Sequence, residues 1–415
     1  HSFPTRRSSD LINIKTLNNM KKQLNIISTY IIREFKTIAT SYSILLVLIG
    51  GIFIYGLLYN YMYQPNLIRS APVVVVDMSH SPLSREYTRL LEASPQVTIH
   101  SFSTDINSAE ELMKKQETIG IIYIPQDFET RMGRGQQSVF LAMGNTSAFL
   151  NFASIQEATV GAMLELDARH RSDMIVFLPL TTLYTMSQSQ TVNIVGSHLF
   201  NYTEGYGSYL IPAVLIVIIF QTLMMVIGMI TGNERHEKSI LYYEKNGLRF
   251  GNMALIILSK TFVYSMLYSV FAYFLIGLLP KIFSIPDIGN TGEIITLLIP
   301  FFLASCFFGF TCSIFYTDSE SPILMVAFFS VGLVFLSGIS YPLELMPWYW
   351  QAVHYIIPAP SGVLAYIKVN SMGASLADIK TEYITLWIQC FVYFITACLA
   401  YRYNIKKAKA ESIIA

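Results

Sequence analysis

The chain has 415 residues, of which 53% are hydrophobic and only 13% are charged, and its mean hydropathy is +0.46. This composition excludes an ordinary water-soluble domain and indicates a membrane protein. A formal net charge of +1 provides no basic field for nucleic acid. The four cysteines all fall inside apolar runs, where we expect small buried hydrophobes rather than disulfides or metal ligands. We therefore predict no nucleic-acid partner, no metal and no other cofactor.

The first residues differ in character from those that follow. Residues 1–19 are polar and basic, whereas Met20 has the features of a natural start, so we treat 1–19 as a non-native leader. Over residues 20–42 apolar side chains recur at helical spacing: Leu24, Ile27, Ile31, Phe35 and Ile38. This spacing predicts an amphipathic helix that lies on the inner leaflet of the membrane.

Six later stretches are long and apolar enough to cross a bilayer, which takes about 20 helical residues. They are Ser43 to Tyr61, Tyr209 to Ile230, Met253 to Leu279, Glu293 to Tyr316, Ile323 to Ser340 and Tyr383 to Tyr401. Lysine and arginine concentrate before the first span, between the second and third, and after the sixth, which predicts that both termini are cytoplasmic. The predicted fold is an α-helical membrane protein with six transmembrane helices. Residues 43–61 form the first span, 209–401 hold the other five, and 402–415 form a cytoplasmic tail.

Residues 62–208 separate the first two spans and are predicted to lie outside the cytoplasm. Strand patterns in "APVVVVDMS", "QVTIHSF", "IGIIYIP" and "QSVFLAM" alternate with predicted helices over Pro82 to Ala93, over "SAEELMKKQ" and over Ala148 to about Asp167. This alternation predicts an inserted extracytoplasmic α/β domain. No phosphate-binding glycine loop follows any of the strands, so we expect a scaffold rather than an active site.

The chain lacks the residues that several classes of transporter and enzyme require. An ion-coupled carrier requires ionisable groups at membrane depth, whereas Lys260 lies within two turns of a predicted cytoplasmic end. The phosphate-binding motif G-x-x-x-x-G-K-[ST] is absent, so the chain is not expected to hydrolyse ATP. His236-Glu237 lacks the second histidine of a zinc-protease helix. We therefore predict no catalytic residues, and an active transporter would take its ATP hydrolysis from another polypeptide.

The stretch from Phe335 to Gly362 is apolar but repeatedly broken by glycine and proline. Proline cannot continue a helix because it lacks the amide donor and clashes with the preceding turn. Broken backbone at membrane depth survives only where protein or a water-filled cavity covers its polar groups. We predict a re-entrant segment, residues 341–362, made of two short half-helices that line an exit on the outer side. The candidate exit-gate residues are Gly338, Pro342, Pro347, Trp348 and Pro358.

Four stretches suggest a family. "VVVVDMSHSPLSREYTRLLEAS" and "GIIYIPQDFETRMGRGQQSVFL" look like an outer domain, and "LFNYTEGYGSYLIPAVL" looks like an entry into the second span. "NERHEKSILYYEKNG", followed by Lys260, resembles the loop between the second and third spans. With the proline-broken stretch, they make the chain resemble the permease subunit of ABC transporters of the type-2 exporter class. The resemblance is to the subgroup with a large extracytoplasmic domain between its first and second spans.

The resemblance implies partners and a site. Two such chains would pair as a homo- or heterodimer in the bacterial cytoplasmic (inner) membrane, with a cytoplasmic ABC ATPase subunit under each. Membrane lipids and a periplasmic adaptor are further candidate partners. The uncharged spans favour an amphipathic or lipid-like substrate, moved outward.

The ATPase is expected to contact the amphipathic helix and a coupling loop, residues 231–252. The candidate coupling residues are Glu234, Arg235, Glu237, Lys238, Glu244 and Lys245. The alternative function is a membrane-anchored extracytoplasmic binding or sensor protein without transport activity.

Overall fold

The computed structural model describes residues 26–63, 69–134, 136, 138–144, 149–177, 205–244 and 250–414. The chain divides into two compact units. One comprises His1–Gln64 together with Leu199–Ala415, and the other, inserted between them, is Pro65–His198. Leu24 of the predicted amphipathic helix and Lys245 of the predicted coupling loop lie outside the described residues.

Two consecutive helices open the described chain. Helix α1 covers residues 26–40, and after Ser41 helix α2 covers Tyr42–Met62, with a π-helical turn at Gly50–Ile54. The buried side chains of α1 are those of Tyr30, Glu34 and Ile38. They recur every four residues and so form one stripe along the helix. Unlike the apolar stripe predicted from the sequence, this buried stripe has a carboxylate at its centre.

A four-stranded sheet forms the centre of the inserted unit. Its strands, in chain order, are β1 (Ala71–Asp77), β2 (Val97–Ser103), β3 (Gly120–Ile124) and β4 (Leu141–Gly144). They are ordered β2-β1-β3-β4, with the first three parallel and β4 antiparallel to β3. Four helices accompany them: α3 (Pro82–Ala93), α4 (Ile106–Lys114), α5 (Phe128–Gly133) and α6 (Phe149–Phe177).

The central strand of this sheet is buried on both faces. Val73 and Val75 pack in a core with residues of α3, α5 and α6, while Val74 and Val76 pack on the opposite face with Ala109 of α4. A run of four valines is what a parallel strand covered by helices on both sides requires. The four predicted strands are present, and α6 is longer than predicted.

The helical unit continues after the insertion. Its next helices are α7 (Tyr206–His236), α8 (Phe250–Ala272, continuing through a π-helical turn at Tyr273–Leu278 to Ile282), α9 (Thr291–Cys312) and α10 (Ser321–Leu336). A 3₁₀ turn, Ser239–Tyr243, follows α7. Helix α7 is central, because 78% of its most apolar stretch is buried, against 22% for α2.

Three helices complete the chain: α11 (Trp348–Ile356), α12 (Pro358–Met372) and α13 (Lys380–Ile414). Helices α9 and α13 pack along each other, and α12 is buried against α7, α9 and α13. As predicted, the proline-broken stretch forms two short helices, but the second runs beyond residue 362 to Met372.

Among the described residues, five helices are long and apolar enough to cross a membrane. They are Tyr42–Met62, Tyr206–His236, Gly251–Ile282, Thr291–Phe315 and Lys380–Ile413. The chain is thus an α-helical membrane protein, but the predicted fifth span, Ile323 to Ser340, is shorter than expected. Helix α10 has 16 residues, which is about 24 Å of helix against a hydrocarbon core of about 30 Å.

Candidate coupling site

Helix α7 ends where the sequence places the coupling loop. Its last turn holds Glu234 and Arg235, and the helix stops because Lys238 adopts a left-handed conformation with φ of +54°. That conformation is uncommon for a residue with a side chain, and it leads the chain into the 3₁₀ turn. His236, Glu237 and Lys238 are exposed at this corner.

A buried ion cluster lies directly behind this corner. The Lys260 ammonium of α8 is 2.8 Å from a carboxylate oxygen of Glu34 in α1 and 2.8 Å from one of Glu234 in α7. The side chains of Lys260 and Glu34 are each 1% exposed and that of Glu234 is 7% exposed. Charges so completely removed from water are stable only when paired and hydrogen-bonded.

Three tyrosine hydroxyls supply further hydrogen bonds to the cluster. Glu234 accepts from Tyr243 of the 3₁₀ turn at 3.2 Å and from Tyr401 of α13, while Glu34 accepts from Tyr264 of α8. The Lys260 ammonium also lies 5.3 Å from the centre of the Tyr243 ring and 5.6 Å from that of Tyr401. The cluster therefore joins α1, α7, the 3₁₀ turn, α8 and α13 at one point.

Burial changes the acidity of two groups outside the spanning helices. Desolvation raises the pKa of the Glu34 carboxyl; Lys260 opposes the shift and Glu234 reinforces it. Desolvation likewise raises the pKa of the Tyr243 hydroxyl. Tyr243 therefore stays protonated at neutral pH and donates its hydrogen to Glu234.

Other contacts fix the corner to neighbouring elements. The Arg33 guanidinium stacks on Tyr242, 4.0 Å from the ring centre, and donates to the Ser239 carbonyl oxygen at 3.4 Å. Arg235 donates to the Tyr316 carbonyl oxygen at 3.1 Å, beyond the end of α9. Glu244 forms an ion pair of 2.6 Å with Lys409 of α13.

The candidate coupling residues therefore have different roles. Glu234 was expected to present its charge to a partner, but its carboxylate is buried because it is a counter-ion of Lys260. Arg235 and Glu244 are engaged within the chain. Glu237 and Lys238 are exposed, and Lys245 lies outside the described residues.

The exit-gate residues surround two breaks in the helices. The carbonyl oxygen of Leu336, the last residue of α10, contacts His354 Nδ1 at 2.6 Å. The carbonyl oxygen of Ile339 accepts from the Tyr209 hydroxyl at 2.6 Å. A carbonyl can only accept, so Nδ1 carries the hydrogen of the imidazole. Burial lowers the pKa of His354, which favours the neutral ring.

The break between α11 and α12 is covered in the same way. Gln389 of α13 donates to the Tyr355 carbonyl oxygen at 2.8 Å, and the Tyr393 hydroxyl donates to that of Ile356 at 2.5 Å. Pro358 then begins α12, a position where its missing amide hydrogen costs nothing. Side chains therefore satisfy carbonyl groups freed at both breaks, as broken backbone at membrane depth requires.

The first break is made by glycine rather than by proline. Helix α10 ends at Leu336, and Gly338 follows with φ of +83°. Pro342 and Pro347 lie farther on, where each directly precedes a short helix, Leu343–Leu345 and α11 respectively. Of the predicted breakers, Gly338 is therefore the one at the end of α10, and the two prolines lie beyond it. Trp348 is exposed at the start of α11.

A comparison with known families finds one match that spans most of the chain. The family described as ABC-2 family transporter protein matches residues 42–399. The chain belongs to this family. It is therefore a membrane component of an ABC transporter, a permease that is not itself catalytic. No curated protein matches the chain in a sequence search.

In this ABC-2 permease, five members of the ion cluster were not among the predicted site residues: Glu34, Tyr243, Lys260, Tyr264 and Tyr401. Glu34 belongs to α1, which precedes the matched residues, and Tyr401 follows them. Lys260 was noted as a lysine near a span end and as part of the family resemblance, but no partner was predicted for it. One signal was available: Lys260 is a single charge within a long apolar run, and such a charge is retained only with a partner.

Proposed function

We propose that the permease is the membrane-spanning subunit of an ATP-driven exporter. It would pair with a second permease chain and with separate cytoplasmic ATPase subunits, and move an amphipathic or lipid-like substrate outward. The observation that carries this proposal is the buried ion cluster, which connects the exposed corner of Glu237 and Lys238 with α1, α7, α8 and α13.

The cluster suits the transmission of movement. Removing one partner from a buried ion pair costs about 3–5 kcal/mol, because the other charge is left uncompensated in a medium of low polarity. The joined elements would therefore move as one body when a docked subunit displaces the corner. The left-handed Lys238 supports a functional role for this corner, because backbone strain of this kind concentrates at functional sites.

The re-entrant helices are the proposed outer gate. The carbonyl groups at their breaks bind side chains of α7, α11 and α13, so a shift of these helices would alter the hydrogen bonds of the gate. Trp348 and its aromatic neighbours Tyr349 and Trp350 are exposed and suit the interface between membrane and water. Rocking of the helices would then open the segment outward.

A paired charge exchange tests the docking assignment. Glu237→Lys combined with Lys238→Glu keeps the net charge but inverts the charge pattern of the corner. We expect this variant to bind its ATPase subunit roughly tenfold more weakly, about 1.4 kcal/mol, because like charges would then meet at the interface. The loss of binding is measured as the amount of ATPase subunit that co-purifies with the permease at increasing concentrations of detergent and salt.

The matched control is Lys281→Glu combined with Glu344→Lys. These residues are also exposed, but they are predicted to lie on the opposite side of the membrane. The control should retain the ATPase subunit fully. Equal retention by both variants would refute the corner as the docking surface, and retention of no ATPase by the unaltered chain would favour the binding or sensor function.

A further inference from the structure

The ion cluster contains more acid than base. Two carboxyl groups, Glu34 and Glu234, share the single ammonium of Lys260, and all three are almost completely buried. With both acids ionised, one negative charge would remain uncompensated in the interior, which is strongly unfavourable. The net charge of the cluster is zero if one of the two carboxyl groups keeps a proton.

The surrounding groups do not remove this excess charge. The titratable side chains that face the cluster within the described residues are Tyr243 from the 3₁₀ turn, Tyr264 from α8 and Tyr401 from α13, all neutral hydroxyl donors. Arg33 of α1 is the neighbouring cation, but its guanidinium stacks on the Tyr242 ring and donates to a carbonyl oxygen.

The hydrogen bonds distinguish the two acids. Within the described residues, Glu234 accepts from Tyr243, Tyr401 and Lys260, whereas the donors to Glu34 are Tyr264 and Lys260. More donors stabilise the ionised form, so the anion belongs on Glu234. The close Tyr264–Glu34 contact also accommodates a proton, because Glu34 Oε1 can donate to the tyrosine oxygen while Oε2 accepts from Lys260.

We propose that the cluster is a buried proton-binding site in which Glu34 holds one proton wherever α1 is packed against α8. The proposal concerns the chain itself and does not rest on the exporter function. A glutamic acid in water has a pKa of about 4.3, so separation of α1 from the bundle at neutral pH would release the proton. The packing of α1 is therefore linked to pH.

The direction of this linkage follows from the proton balance. The packed state binds one proton more than the separated state, so rising pH favours separation and falling pH favours packing. The packing of α1 depends on pH from the pKa of a free glutamate up to the higher pKa of the buried Glu34. Glu34→Gln, whose side chain has nearly the shape of a protonated glutamic acid, removes this part of the pH dependence.

Two variants of the purified full chain in lipid nanodiscs test the proposal. Glu34→Gln should have a Tm at neutral pH at least as high as that of the unaltered protein, because the amide replaces a neutral acid and takes up no proton when α1 packs. Glu234→Gln should lower the Tm, because the negative charge then moves to Glu34, which accepts hydrogen bonds from fewer donors. The fall of Tm with rising pH should be smaller in Glu34→Gln than in the unaltered protein. A Glu34→Gln variant as unstable as Glu234→Gln would overturn the proposal.

Infrared spectroscopy provides a readout that a structural role alone would not change. The unaltered protein should show the C=O stretching band of a protonated carboxylic acid at neutral pH, shifted in D₂O. This band should be lost in Glu34→Gln. It should also be lost in Glu234→Gln, because Glu34 would then ionise as the remaining partner of Lys260. A band that persists in Glu34→Gln would refute the assignment.

Discussion

Lys260 is the residue on which the coupling site depends most directly. It contacts both acids of the cluster, and its side chain is 1% exposed. Its partners come from α1 and α7, and the rings of Tyr243 and Tyr401 lie beside it. A single ammonium thus holds together elements that are far apart in the sequence.

Replacing Lys260 should therefore destabilise the helical unit. We expect Lys260→Met to lower the free energy of unfolding by about 3–5 kcal/mol, because two acids remain buried without their cation. Lys260→Arg is the matched control, since it keeps the charge and should cost less. Denaturant unfolding of the purified variants, followed by tyrosine fluorescence, measures both. Equal stability of Lys260→Met and the unaltered protein would show that the cluster does not hold the elements together.

At the scale of elements, the end of α10 determines where the re-entrant segment begins. Gly338 adopts a φ of +83°, and the described backbone turns there towards α11. We expect Gly338→Ala to destabilise the protein by about 1–2 kcal/mol, because a side chain is strained in this conformation. Transport should fall as well, because the gate helices would be displaced.

Gly332 provides the control for this substitution. It lies within α10, and a methyl group added there would meet nothing within 4 Å. Gly332→Ala should stabilise the helix by about 0.5–1 kcal/mol, since alanine is the better helix former. Thermal unfolding of the two variants gives the comparison. The same change in Tm in both variants would mean that α10 does not end because of the conformation of Gly338.

The elements themselves were largely predictable from local patterns. The four valines of β1 indicate a buried strand, and the long apolar runs of α7 and α9 indicate membrane helices. The proline at the start of α12 indicates the beginning of a helix. The buried stripe of α1 was not predictable, because it includes Glu34, whose hydrogen-bond partner Tyr264 is 230 positions away. The periodicity of a helix sequence predicts which face is apolar, but it cannot predict that a charged side chain pairs with a distant residue in the interior.

The contacts at the end of α10 were not predictable for a similar reason. The sequence indicates glycine and proline as breakers in this stretch, and Gly338 is the one that follows α10 with a positive φ. Tyr209 and His354 bind carbonyl groups at this break, and Gln389 and Tyr393 bind those at the break between α11 and α12. Such pairs depend on tertiary packing and have no local signal.

At the scale of the whole molecule, the helical unit has a buried centre and an apolar exterior. Of the most apolar stretch, 78% is buried in α7, but only 22% in α2 and 33% in α13. Surfaces of this kind are suited to lipid or to another membrane helix. This arrangement fits a permease that is embedded in a bilayer and works with other subunits.

ATP hydrolysis by the purified chain tests whether this permease depends on a separate ATPase, as we propose. The tagged chain is purified from its native membranes in mild detergent, once under conditions that keep its partners and once after they are stripped. We predict hydrolysis in the first preparation, together with a co-purified ATPase subunit, and none in the second. Hydrolysis by the stripped chain alone, or ATP-independent export by that chain in proteoliposomes, would show that the permease does not depend on a separate ATPase.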